Sequence, residues 1–277
     1  MGFCFGVRRA VQMMEEAGEQ QGNVATLGAV VHNPLVTERL AQRGVHIIGT
    51  LDELRDRPIA ISAHGVGPRV LQDLEQRGAE IIDTTCPIVT RSQQWARRLT
   101  EDGFAVIVFG DPNHKEVRGV LGWATGRVLC CQDESDIDSL PDDLPSKIGV
   151  LSQTTHTEER FASFVRALFA KRMDRISELR VINTLCNATT GQQAAARELA
   201  RQVQTMVVVG GRESANTRHL VEICHEEGVP AYHIERAGEL RPEWFRGVDV
   251  VGVTAGASTP DFSIDEVVLH LEALEPA

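Results

Sequence analysis

Apolar residues fall into two alternating patterns along these 277 residues. Short apolar runs bounded by glycine, proline or polar residues read as buried strands. They cover 24–27, 45–48, 58–63, 79–83, 104–109, 127–131, 147–152, 179–183, 205–210, 230–234 and 248–254. Between them, apolar positions recur at three- and four-residue spacing, which predicts helices. The first runs from Val7 to Gln20, with Val7, Ala10, Val11 and Met14 on one face. Asn33 caps the second, with Pro34 at its first position. Pro68 opens another. Thr155-His156-Thr157-Glu158 reads as a capping box before a helix that turns Phe161, Phe164, Val165 and Leu168 inward. Strands alternating with helices imply parallel sheets with right-handed crossovers, an α/β fold.

The pattern repeats. An offset of 100 positions carries Asp83-Thr84-Thr85-Cys86 onto Asn183-Thr184-Leu185-Cys186, Gln93 onto Gln193, and Gly110 onto Gly210. An offset of 82 carries Cys4 onto Cys86, Gly28 onto Gly110, and His32 onto His114. His114 in turn falls on Ser214 at the first offset. This predicts three α/β units, 1–78, 79–178 and 179–277, each a small parallel sheet with flanking helices, in a pseudo-threefold ring. No strand precedes Cys4, so the first unit is expected to have three strands and the others four.

The residues that carry chemistry lie just beyond strand ends, where open parallel sheets bind ligands. Cys4, Cys86, Cys186, His32, His114, Ser214, His64, Thr154 and Ser258 are therefore expected to face one cavity. Thiols at helix N-termini favour thiolate, and three thiolates suit a soft metal centre. Zinc would normally require a fourth ligand, whereas an iron–sulfur cubane on three cysteines leaves one iron open. A single cysteine is more often a small buried hydrophobe. The repeat singles out these three, while Cys130, Cys131 and Cys224 lack repeat partners and read as core. The histidines, with Ser214, Asn216, Ser258 and Thr154, form a donor-rich set suited to a phosphate or diphosphate. No P-loop is present, so a nucleotide is not implied. Glu116 follows His114 by two positions. A carboxyl in a partly dry cavity holds its proton near neutral pH and can donate it.

Composition narrows the class. Hydrophobic residues make up 42% and charged residues 24%, as in soluble globular proteins. The net charge of −11 disfavours nucleic acid and anionic membrane as partners. No apolar run is long enough for a membrane span, and no signal-like start is seen. Six cysteines without tight spacing fit reduced thiols in a cytoplasmic protein.

Gly2-Phe3-Cys4-Phe5-Gly6-Val7, Val31-His32-Asn33, Ser62-Ala63-His64-Gly65-Val66, Asp83-Thr84-Thr85-Cys86-Pro87, His114-Lys115-Glu116-Val117, Gln153-Thr154-Thr155 and Val253-Thr254-Ala255-Gly256-Ala257-Ser258 occur in that order. Together they resemble the 4-hydroxy-3-methylbut-2-enyl diphosphate reductase family over essentially the whole chain. The resemblance implies the last step of the non-mevalonate isoprenoid pathway, in which a hydroxyl is removed reductively to give isopentenyl and dimethylallyl diphosphates. It implies a 4Fe-4S cluster on Cys4, Cys86 and Cys186, with one open iron for the substrate hydroxyl. It implies that His32, His64, His114, Ser214, Asn216 and Ser258 hold the diphosphate, that Glu116 relays protons, and that Thr154 lies beside the substrate hydroxyl. A ferredoxin or flavodoxin would supply electrons. Ala215 stands where the family commonly has a second serine, and Lys115 where it commonly has proline. Two rival classes are a metal-binding regulator, disfavoured on DNA by the acidic balance, and an iron–sulfur dehydratase that consumes no reductant.

Overall fold

The computed structural model describes residues 2–55 and 57–274. The chain divides into two compact bodies. One comprises Met1–Gly22, Ala29–Val45 and Asn187–Ala277, the other Asn23–Gly28 and His46–Cys186. In chain order the regular elements begin with helix α1 (Phe5–Gln21), strand β1 (Val24–Leu27), α2 (Pro34–Ala41), β2 (Val45–Ile48), β3 (Ile59–Ile61), α3 (Pro68–Gln76) and β4 (Ile81–Asp83). Next come α4 (Pro87–Glu101), β5 (Ala105–Phe109), α5 (Lys115–Trp123), β6 (Val128–Cys131), β7 (Lys147–Ser152), α6 (Glu158–Arg172) and β8 (Glu178–Val181). The last are α7 (Asn187–Ala200), β9 (Thr205–Val209), α8 (Ala215–Glu226), β10 (Ala231–Ile234), β11 (Val251–Ala255) and α9 (Asp261–Glu272).

Three small sheets result, ordered β2-β1-β3-β4, β6-β5-β7-β8 and β10-β9-β11. The pairings of β1 with β3, β3 with β4, β5 with β6 and β7, β7 with β8, and β9 with β10 and β11 are all parallel. The expected strand count is corrected here. The first sheet has four strands and the last has three. Strands β4 and β8, expected to open the second and third units, instead close the sheets before them. Each pairs with the strand that its own crossover helix follows, the shortest right-handed connection available. Sheet membership thus divides the chain after β4 and β8, not before them.

The central strands explain the continuous apolar runs. Ala105, Ile107 and Phe109 of β5 pack with Phe161, Phe164 and Leu168 of α6, while Val106 and Val108 pack with Ala96 and Leu99 of α4 and Val117 of α5. β9 is used the same way: Val207 and Val209 meet Ile264 and Val267 of α9, and Met206 and Val208 meet Ala196, Leu220 and Cys224. A strand buried on both faces has no polar side to alternate with. Asn33 caps α2 as expected, its side chain accepting from the amides of Leu35 and Val36. The helix after β7 starts differently. Thr157, not Thr155, is its cap, accepting from the Arg160 amide, and Thr155 instead accepts from the Gln153 side chain.

Candidate active site

Cys4, Cys86 and Cys186 each stand immediately before a helix, α1, α4 and α7 respectively. Each is pinned by its backbone in the same way. The Cys4 amide donates to the Ala257 carbonyl at 3.0 Å, Cys86 to Ala63 at 3.0 Å, and Cys186 to Thr154 at 2.9 Å. The acceptor in each case is Thr154 itself or the residue just before Ser258 or His64. Two of these loops are built alike below the cysteine. The buried Thr84 hydroxyl donates to the Ile61 carbonyl at 2.5 Å, and the buried Thr184 hydroxyl to the Ser152 carbonyl at 2.6 Å. The Asp83 and Asn183 side chains accept from the Thr85 and Leu185 amides at 2.9 and 3.0 Å. Sequence reasoning aligned Thr84 with Thr184 but assigned neither a task. Their identity at the 100-residue offset was the signal.

No disulfide joins the cysteines among the described residues. The three without repeat partners are held differently. Burial pushes the Cys131 thiol up to about 12 and those of Cys130 and Cys224 up to about 11. Cys130 also donates to the Gly110 carbonyl. These are protonated core residues, as their lack of symmetry indicated. The fit of a soft metal centre thus rests on three half-buried thiols, each at a helix start and each anchored through its amide.

The body that carries Cys86 and Cys186 also carries His64, His114, Glu116 and Thr154. The His64 and His114 rings meet edge to face with centroids 5.5 Å apart. His114 caps α5: its Nδ1 accepts the Glu116 amide N–H at 3.2 Å. That bond leaves Nε2 to carry the ring proton of the neutral imidazole. Glu116 is almost fully buried in the first turn of α5. Its carboxyl accepts the Thr154 amide at 2.7 Å and lies 2.8 Å from the Thr154 hydroxyl. Burial pushes the Glu116 pKa up, and the two Thr154 bonds pull against it without overcoming it. A carboxyl buried to this extent is best accommodated as the acid. Gln153, which sequence reasoning quoted but did not assign, accepts from the Asp111 amide at 3.1 Å and so orients the loop ahead of His114.

The other body carries Cys4, His32, Ser214, Asn216 and Ser258. Gly211 is essential to the His32 backbone: a Cβ there would lie 2.2 Å from the His32 carbonyl oxygen. The Ser258 hydroxyl donates to that same carbonyl at 3.4 Å. Ser214 caps α8, accepting from the Thr217 amide. Asn216 is buried, and its Nδ2 donates to Gln192 at 3.1 Å while its Oδ1 has no partner among the described residues. A buried amide oxygen left so costs about 1–3 kcal/mol, a cost that a ligand donor would remove. Ala215 is buried beside them. Among the described residues no helix is long and apolar enough to cross a membrane.

The chain matches the LytB protein family model over residues 1–272. It is 46% identical over 275 residues to 4-hydroxy-3-methylbut-2-enyl diphosphate reductase of Dehalococcoides mccartyi strain CBDB1, covering 99% of this chain and 96% of that one. It is 42% identical over 274 residues to the protein of the same name from Geobacter sulfurreducens, covering 99% and 95%. The fold is similar to the Plasmodium falciparum E-1-hydroxy-2-methyl-but-2-enyl-4-diphosphate reductase, with a TM-score of 0.90 at 27% identity over 97% of this chain and 84% of that one. A second solved reductase, described as the terminal enzyme of the non-mevalonate pathway, matches with a TM-score of 0.71 at 38% identity over 98% and 96%.

Proposed function

The chain belongs to the LytB protein family, and from that premise we propose how its residues divide the work of a reductase. The reaction is the reduction of 4-hydroxy-3-methylbut-2-enyl diphosphate, the terminal step of the non-mevalonate pathway. Two electrons and two protons are consumed. One proton leaves with the C4 hydroxyl as water, and the other adds to carbon, at C4 to give dimethylallyl diphosphate or at C2, with a shift of the double bond, to give isopentenyl diphosphate. Cys4, Cys86 and Cys186 would hold a 4Fe-4S cluster, which when bound would supply the electrons for the reduction. The electron donor is of the ferredoxin or flavodoxin class.

The protein's own part is binding and proton delivery. His32, His64, His114, Ser214, Asn216 and Ser258 are assigned to the diphosphate. The Nε2 proton of His114, fixed by the Glu116 amide on Nδ1, gives a neutral donor for that anion. Glu116 is the proton store. Hydroxide is a poor leaving group, so the departing oxygen needs a proton, and Thr154 is the group through which it passes. The Thr154 hydroxyl donates to Glu116 Oε2 at 2.8 Å. With Glu116 protonated that bond reverses, the hydroxyl accepts and donates onward, and one proton enters as another leaves. General acid help of this kind is typically worth about a hundred- to ten-thousand-fold.

The observation that carries this reading is the buried Glu116–Thr154 pair, whose Thr154 carbonyl also anchors the Cys186 amide. Anaerobically iron-loaded protein with a chemical reductant is expected to convert the substrate to the two five-carbon diphosphates, consuming two electrons per product. Absence of product at full iron content would overturn the reading. A dehydrated product, two hydrogens poorer than these diphosphates and formed without electron consumption, would instead indicate a dehydratase.

A further inference from the structure

A cleft of about 510 Å³ opens within the body that holds His64 and His114. Its floor is the carboxyl end of the first sheet, at Gly28 and Gly49 after β1 and β2, and Ser62 after β3. One wall is the Gly65–Gly67 segment that follows His64, and the opposite rim is the first turns of α5. The wall is held in place from α5 itself. Trp123 Nε1 donates to the Val66 carbonyl at 2.9 Å, and a Cβ on Gly122 would lie 3.2 Å from the Gly67 Cα.

The lining is cationic. The chain carries 39 acidic and 28 basic side chains, yet among the described residues lining this cleft the charged ones are Lys115 and Arg118. The neighbouring carboxylate of Glu53 is engaged by the Gly49 amide at 3.1 Å. Lys115 lies between His114 and Glu116 in sequence and lines the cleft. Its ammonium rests on Gly28, where an added Cβ would meet Nζ at 2.1 Å. Gly28 has φ +74°, so a larger residue there would be strained as well as obstructive. Both cations stand in the opening turns of α5, where the helix dipole disfavours positive charge. An anion in the cleft would offset that cost. The cleft also abuts the histidine pair: the Ser62 hydroxyl is 3.4 Å from His64 Nδ1, and Lys115 follows His114 directly.

We infer that this cleft is an outer capture site for the substrate's diphosphate, with Lys115 and Arg118 as its cationic determinants. The inference rests on the reductase function above. A protein of net charge −11 repels a diphosphate at long range. A local cationic mouth next to His64 and His114 reverses the field where the substrate enters, and such focusing acts on association and is screened by salt. Lys115 and Arg118 are positioning groups here. They touch no reacting atom, so their loss falls on KM and on the salt dependence.

The test is steady-state kinetics of the iron-loaded protein at several ionic strengths, comparing wild type with Lys115→Met, Arg118→Gln and the double variant. Arg166→Gln, an exposed cation on α6, controls for net charge. The double variant is expected to raise KM about tenfold, the loss of a charged hydrogen bond to phosphate. Its kcat should stay within about twofold, and its log kcat/KM should fall less steeply with salt. Arg166→Gln should match wild type. Unchanged KM and salt slope would overturn the inference, as would a loss confined to kcat or melting temperature, which would make Lys115 a support for the Gly28 turn. If wild type itself fails to reduce the substrate, the functional reading fails separately. Calorimetry with inorganic diphosphate then decides the cleft: weaker binding in the double variant upholds it, and equal binding overturns it.

Discussion

Thr154 turns both of its donors on Glu116, its amide to Oε1 at 2.7 Å and its hydroxyl to Oε2 at 2.8 Å. The amide bond is fixed in direction, because a backbone N–H can only donate. The hydroxyl bond is reversible. When Glu116 is ionised the hydroxyl donates to it, and when Glu116 is protonated the carboxyl donates to the hydroxyl. One oxygen therefore reports the charge state of the other. Thr154 also accepts the Cys186 amide, so the proton store and a cysteine loop share one anchor residue.

Removing the hydroxyl while keeping the backbone isolates that reversible bond. The side-chain bond lowers the Glu116 pKa against the larger upward push of burial. Thr154→Val is therefore expected to let the pKa rise further, holding the proton to higher pH. The alkaline limb of the kcat profile should move to higher pH, with maximal turnover reduced about a hundredfold through loss of the relay. Thr154→Ser, which keeps the oxygen, should restore both. An unmoved alkaline limb in Thr154→Val would show that Glu116 does not set it.

The cysteines divide by how they are anchored. Serine at 86 or 186 offers a hard ligand to a soft site. Each of those variants is expected to lose most bound iron and activity. Cys130→Ser should retain both, since Cys130 donates to the Gly110 carbonyl and its thiol is pushed up to about 11. Iron and sulfide analysis with the visible absorption spectrum measures this. Equal iron loss in all three variants would dissolve the distinction.

Much of this arrangement was legible before the structure. β5 and β9 announce themselves as unbroken apolar runs, because both faces of each are covered. The cysteines stand out by symmetry, and Glu116 by its spacing from His114. What stayed hidden was relational. Periodicity marks 79–83 and 179–183 as strands but carries no information on which sheet receives them, and both join the earlier one. The Thr155–Glu158 spacing reads as a capping box, yet the helix starts two residues later and Thr157 accepts the Arg160 amide. Lys115 sits in a motif with two site residues, and its ammonium lies against Gly28, a contact that no spacing rule contains.

The third sheet differs from its siblings at one edge. β4 and β8 lie outside β3 and β7, and each leads into a cysteine loop. β11 holds the equivalent place next to β9 and has no outer neighbour among the described residues. A groove of about 520 Å³, lined in part by Val251, Val253, Val268 and Leu271, runs beside it. An apolar strand added ahead of Gly2 is expected to pair with β11 and cover that groove. Pairing an edge and burying apolar surface both stabilise. The melting temperature should rise by several degrees, each kcal/mol being worth roughly 2–4 °C in a chain of this size. Identical melting with and without the added strand, at equal iron content, would count against it.

Glu116→Gln offers the most complete test, because stability and turnover should respond in opposite directions. Gln keeps the acceptor for the Thr154 amide and donates to the Thr154 hydroxyl, so it imitates the protonated acid. The folded pKa of Glu116 is raised above its ordinary value of 4.5 by burial. For a raised pKa the favourable contribution is fully present below the unfolded value and is lost as pH rises through the folded one. Wild type should therefore lose stability, relative to Glu116→Gln, as pH climbs from about 4.5. The gap should level off once pH passes the folded pKa. Melting temperatures of the two proteins across pH, at matched iron content, give that difference directly. Turnover moves the other way. The amide has no proton to give, so single-turnover product formation with chemically reduced protein should fall at least about a hundredfold, while substrate binding stays near that of wild type. A variant more stable than wild type at neutral pH yet unable to turn over is what a buried proton donor predicts. A surface charge predicts neither effect, since an exposed carboxyl is worth almost nothing to stability and nothing to proton transfer. Wild-type turnover in Glu116→Gln, whatever its melting curve, would remove Glu116 from the reaction and leave the Thr154 contact as a structural bond only.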